Sequence, residues 1–162
     1  MLRITKQTDY GIVLMTHLAQ STERLHSAPD LAEELRIPLP MVSKILKILT
    51  RDGLLSSHRG VRGGYCLALP PHEIRVDRII GSLEGPVAMT ECVEEHHDCA
   101  RESFCAVRGN WQVINRAILG ALREITLAEM VRPFPPPSGT AGLVSIGAHR
   151  EAAPGPRQPL EQ

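Results

Sequence analysis

SAPDLAEELRIPLPMVSKILKILTRDG, residues 27–53, decides the fold. Ser27 suits a helix N-cap with Asp30 three residues on, and Pro29 fits a first turn. The sequence predicts a helix from there to about Leu35. The connection RIPLP, residues 36–40, is short and carries two prolines. Pro40 then opens another helix, over 40–52, with Val42, Ile45, Leu46 and Leu49 as its buried stripe. Ser43, Lys44, Lys47 and Arg51 fall on the outer face, and Gly53 closes the helix. A short helix, a tight turn and a helix with a basic outer face form the helix-turn-helix arrangement.

The segment after Gly53 extends this motif. Leu54–Arg59 and Tyr65–Leu69 read as two short strands around a glycine-rich turn, residues 60–64. A hairpin placed directly after the second helix of the motif is a wing. Arg59 and Arg62 on its tip suit phosphates or a minor groove. Cys66, in the second strand, reads as a small buried hydrophobe. Upstream, residues 5–20 form a first helix by the spacing of Ile12, Met15, Leu18 and Ala19, with Asp9 in its first turn, where the helix dipole tolerates a carboxylate. Downstream, residues 74–84 suit a short helix with Val76, Ile79, Ile80 and Leu83 inward, ended by Gly85 and Pro86.

The chain then changes character. Cys92, Cys99 and Cys105 lie within fourteen residues as C-x6-C-x5-C. Soft thiolates at this density favour iron–sulfur clusters, zinc or copper(I). Glu91, Glu94, Glu95, Asp98 and Glu102 crowd the loop against Arg101 alone. Such charge raises thiol pKa and disfavours a bare nucleophilic cysteine, whereas a bound cation reverses that logic. A metal site is expected, and no base or oxyanion group suggests an enzyme. After Cys105 the pattern predicts one helix to about Val131, roughly 40 Å long. Trp111, Ile114, Ile118, Leu122 and Ile125 form its seam, narrow enough for pairing with a second copy. The alternative, packing on its own winged-helix domain, is possible for its first two turns only. From Pro133 on, seven of thirty residues are proline and four glycine, the composition of a disordered tail.

The chain has 162 residues and formal net charge zero, so partners are read from charge distribution. Residues 36–62 hold six Lys/Arg against Asp52, a basic half suited to double-stranded DNA. The five aromatics are too few for stacking single-stranded nucleic acid. No run approaches the ~18 apolar residues that span a bilayer, and the N-terminus does not read as a signal peptide. A soluble cytoplasmic protein without a membrane partner is expected. The division is 1–84 DNA-binding domain, 85–105 cysteine loop, 106–132 dimerisation helix and 133–162 tail. The fold class is mainly α, a winged helix-turn-helix with a small β-hairpin wing and a long C-terminal helix.

LRITKQTDYGIVLMTHLA (2–19), SAPDLAEELRIPLPMVSKILKILTRDGLL (27–55), RGVRGGYCLAL (59–69) and the cysteine triplet together resemble the Rrf-type winged-helix regulators, the family of IscR, NsrR and RirA. The likeness runs from Leu2 to Val131 and, within the family, is similar to regulators of SUF iron–sulfur assembly genes. It implies a homodimer with crossed long helices. It also implies an iron–sulfur cluster, [2Fe–2S] or [4Fe–4S], on Cys92, Cys99 and Cys105, received from the assembly machinery and controlling repression. By position the DNA readers are Pro40, Met41, Val42, Ser43, Lys44 and Lys47, with Arg59 and Arg62 on the wing. One departure concerns the fourth ligand. IscR-like members have a histidine where this chain has Arg108, which stays protonated and cannot ligate. NsrR-like members use an aspartate in the first helix, reached across the dimer, and Asp9 matches it. His96 and His97 are rivals inside the loop. Two other readings stand beside this one: a zinc site on the cysteines with His96 or His97, and a winged-helix interaction module that no longer binds DNA.

Overall fold

The computed structural model describes residues 4–60, 63–88, 90 and 105–133. Helix α1, Lys6–Gln20, starts at Thr5, whose side chain accepts from the Thr8 amide. Its start is tied to a distant element. The Thr5 amide donates to Glu84 Oε1 at 2.7 Å, and Gln7 Nε2 donates to the Leu83 carbonyl at 3.1 Å. The Thr5 amide thereby holds the Glu84 carboxyl below its ordinary range.

Helix α2, Ala28–Leu35, is capped as the sequence reads, Ser27 Oγ accepting from the Asp30 amide at 3.3 Å. Eight residues are too few to be helical alone. Packing on α3 and burial of Leu31 hold α2 in place. The far end of α2 has no signal in the sequence. Arg36 adopts the left-handed conformation, φ 54° and ψ 38°. Its amide donates to the Glu33 carbonyl and the Ile37 amide to the Ala32 carbonyl, a Schellman closure. Ile37, 5 % exposed, plugs the turn.

Helix α3, Leu39–Arg51, buries Val42, Ile45, Leu46 and Leu49 completely. Each such aliphatic contributes about 1.5–3 kcal/mol relative to exposure. Gly53 follows with φ 72°, where a side chain would be strained. Strands β1, Leu55–His58, and β2, Gly64–Leu67, pair antiparallel with Ser56 opposite Cys66. His26 adds itself to the hairpin edge, exchanging both backbone hydrogen bonds with Tyr65 at 3.0 and 2.8 Å. Cys66 departs from expectation. It is half-buried, its Sγ 3.7 Å from His58 Nε2, so it is not a core residue.

Helix α4, Val76–Glu84, buries Val76, Ile79, Ile80 and Leu83, and Gly85 follows at φ 92°. Ile79 and Leu83, with side chains of α1, α2 and α3, belong to one core that also takes in Leu14, Met15 and Leu18.

The expected continuous C-terminal helix is two helices. Helix α5, Arg108–Glu124, spans about 25 Å. Ile125 is extended, and α6, Leu127–Val131, begins afresh behind a capping box in which Thr126 and Glu129 bond each other's amides. The Thr126 amide holds the Glu129 carboxyl below its ordinary range. Residues 74–76 catch this break. The Val76 amide donates to the Ile125 carbonyl at 3.0 Å and the Leu127 amide to the Ile74 carbonyl at 2.8 Å. Arg123 Nε reaches Asp77 Oδ2 at 3.2 Å. Leu127 is fully buried and α6 packs on α1. The end of the expected 106–132 element thus packs on its own domain, the reverse of the expectation that only its first turns would. Ile125 leaves the helical seam because its carbonyl is committed to α4.

Candidate nucleic-acid interface and cysteine loop

Burial of the α3 stripe fixes which side chains point away from the core. Pro40, Ser43, Lys44, Lys47 and Arg51 are exposed, and Met41 is half-buried. Val42 is fully buried, so its side chain anchors α3 to the core and does not face a groove. Among the described residues Lys44, Lys47 and Arg59 have no acidic partner, whereas Arg51 Nε is 2.9 Å from Asp52 Oδ1. The Arg51 guanidinium pulls the Asp52 carboxyl below its ordinary range.

Arg59 is exposed at the end of β1, where Gly60 at φ 120° starts the turn. Arg62 lies outside the described residues. Between α3 and the hairpin runs an open groove of ≈ 400 Å³, lined by Ser43, Lys47, Thr50, Arg51, Ser57 and Tyr65. Hydroxyls and cations on one concave, solvent-open face suit phosphate oxygens. Arg36, exposed in the turn of the same motif, is a further cation in this basic half of the sequence. Its charge is visible in the sequence, but its left-handed turn is not.

Residues 4–133 match the Rrf2 family, described as an iron-dependent transcriptional regulator. The chain belongs to the Rrf2 family. It is similar to the protein rrf2 of Nitratidesulfovibrio vulgaris Hildenborough, 30 % identical over 132 residues that cover 81 % of this chain and 88 % of that protein. Among solved structures it is similar to CymR, the global cysteine regulator of B. subtilis, with TM-score 0.66 and 30 % identity, covering 81 % of this chain and 97 % of that one. It is also similar to T. potens IscR, with TM-score 0.63 and 30 % identity, covering 80 % and 86 %. These neighbours support the winged helix-turn-helix fold and a DNA-binding regulator rather than an enzyme. Among the described residues no helix is long and apolar enough to cross a membrane.

The second expected site is described only at its edge. Cys92, Cys99, His96 and His97 lie outside the described residues. Cys105 is a free, half-buried thiol just before α5, its carbonyl accepting from the Arg108 amide at 3.3 Å. Asp9 is exposed on α1. The architecture is similar both to a cysteine regulator and to an IscR. The cysteine triplet, rather than the architecture, is what supports a cluster here. Its donor set fits one, since soft thiolates are the usual ligands of iron–sulfur centres.

Among the described residues the apolar side chains of α5 are only partly covered, although the helix packs on α4. Ile114 is 41 % and Val113 58 % exposed, and Trp111, Ile118 and Leu122 are half-buried. Asn115 is the one buried residue of this helix.

Proposed function

We propose that this chain is a homodimeric cytoplasmic repressor whose affinity for its operator follows the state of an iron–sulfur cluster held by Cys92, Cys99 and Cys105. Asp9 of the partner subunit is the fourth ligand in this reading, with His96 and His97 as rivals. The genes controlled are those of SUF iron–sulfur assembly, whose machinery also donates the cluster. The observation that carries the reading is the cysteine triplet placed just before α5 in the sequence, a helix whose apolar face is only partly covered among the described residues. When bound, a cluster supplies a centre sensitive to iron supply, oxidants and nitric oxide. The residues of the chain do the rest. Cys105 fixes the loop to the foot of α5, the α5 face sets the pairing of two copies, and Lys44, Lys47 and Arg59 meet the duplex. Half-sites about 34 Å apart accept both α3 helices only at one separation.

Anaerobic purification tests this directly. The expected product is coloured, contains iron and sulfide, and retards a duplex carrying an iron–sulfur assembly promoter. A colourless preparation containing zinc that binds the same duplex would support the zinc-stabilised reading instead. Lys44→Ala and Lys47→Ala are each expected to weaken binding to all duplexes alike and, with one copy lost from each subunit of the dimer, to lower the salt slope by about 2. Retardation that does not change with salt would point to an interaction module.

Arg36 offers a sharper check. A left-handed arginine is strained where glycine is not, while glycine gains more entropy on unfolding. Arg36→Gly is therefore expected to leave Tm unchanged or slightly raised. If the charge serves DNA, the salt slope still falls by about 2, one contact from each subunit. A lower Tm with an unchanged salt slope would make Arg36 a structural residue only.

A further inference from the structure

His17 from α1, His26 from the α1–α2 connection and Glu34 from α2 converge on one point. One donor atom from each lies within 4.8 Å of the others. His17 Nε2 stands 2.9 Å from Glu34 Oε2, and the two imidazoles meet edge to face with centroids 5.3 Å apart. His26 is 1 % exposed, yet neither of its ring nitrogens has a partner in hydrogen-bond geometry. Buried polar groups are ordinarily bonded, so two idle nitrogens on one buried ring call for an occupant. The ring is held there. Its backbone is bonded twice to Tyr65, and a Cβ added at Gly64 would sit 2.7 Å from the His26 carbonyl oxygen.

We propose a metal site separate from the cysteine loop, in which His17, His26 and Glu34 ligate a divalent cation of the zinc class. Two imidazoles and one carboxylate are a zinc donor set that leaves the fourth position to water. Imidazole nitrogen also suits iron and nickel, and it excludes calcium and magnesium as the preferred occupants. Ligand bonds of about 2.0–2.2 Å bring tetrahedral donors to within about 3.5 Å of one another. Glu34 and His17 are partly exposed and have room to close by the remaining distance.

Arg24 is the opposing feature. Its Nη2 lies 3.5 Å from Glu34 Oε1. That oxygen is not the one facing His17, and Arg24 is mostly exposed, so solvent screens its charge. It can remain on the non-ligating oxygen and orient the carboxylate. An occupied site would pin α2 to α1 and, through His26 and Tyr65, to the root of the wing. It would stiffen the reading head independently of the cysteines.

The test uses the full-length chain carrying Cys92→Ser, Cys99→Ser and Cys105→Ser, titrated with Co²⁺ alone. The expected result is one equivalent bound, weak visible bands without thiolate charge transfer, and a raised Tm. Glu34→Gln and His17→Gln change partly exposed positions and should fold. Each is expected to weaken Co²⁺ binding by about tenfold or more and to abolish the Tm rise. Absence of binding in the triple-serine chain overturns the site, as does unchanged binding in both variants. A thiolate charge-transfer band would also overturn it, by moving the cation to Cys66 and His58.

Discussion

Cys92→Ser, Cys99→Ser and Cys105→Ser are each expected to leave the anaerobically purified protein without visible absorbance and without the proposed cluster-dependent change in operator binding. The expectation follows from the donor set. A serine hydroxyl stays protonated where a thiolate ligates, so each substitution removes one of three soft ligands. The acidic loop makes this loss hard to repair, because five carboxylates around a vacated thiolate oppose any negative substitute. Cys105 is half-buried and outside the hydrophobic core, so the fold should survive with helicity near that of the parent and Tm near that of the cluster-free parent. The change in operator affinity belongs in the usual range of site-to-site coupling, about 5–150-fold.

Cys66→Ser supplies the contrast. Cys66 sits in β2 beside His58, outside the cysteine loop, and its replacement should keep the spectrum. Retained absorbance in Cys105→Ser, or equal operator binding by the variant and the loaded protein at one salt concentration, would end the proposal of a cluster switch.

The sequence carries the reading head well because its signals there are local. The Ser27 cap, the α3 stripe, Gly53 and the α4 stripe each depend on residues within a turn or two of one another, and each stands where the spacing puts it. Val42 shows where positional likeness and periodicity conflict. The spacing places it in the buried stripe, the family likeness among the DNA readers, and burial sides with the spacing.

Failures come where a distant segment decides the outcome. Heptad-like spacing runs through Ile125, yet the helix stops because backbone groups at Ile74 and Val76 take the Ile125 carbonyl and the Leu127 amide. A warning is present: Thr126-Leu-Ala-Glu129 is a capping-box signature, which marks a helix start rather than an interior. His17, His26 and Glu34 give no comparable sign. They stand nine and eight residues apart on three separate pieces of chain, and only the packing of α2 on α1 brings them together. Arg36 is equally hidden, since arginine in a left-handed turn has no periodic signature.

The break at Ile125 shortens the face offered to a second copy and makes its removal a clean experiment. Ile118→Asp and Leu122→Asp place a charge in the middle of the α5 stripe, on side chains that are half-buried in the single chain and absent from the core. The fold should survive, with helicity and Tm near those of the parent. If a second copy covers α5, each aspartate must be desolvated on pairing, which costs several kcal/mol. The double variant should then sediment as a monomer at concentrations where the parent is a dimer. Operator binding should fall by about 10²–10⁴-fold, because the second half-site is no longer engaged through a linked partner. Binding to a duplex carrying one half-site should change little, since α3 and the wing are untouched. That pairing of results separates lost dimerisation from a damaged reading head. A double variant that stays dimeric would place the subunit interface elsewhere and leave the exposed Val113 and Ile114 side without a second copy to cover it.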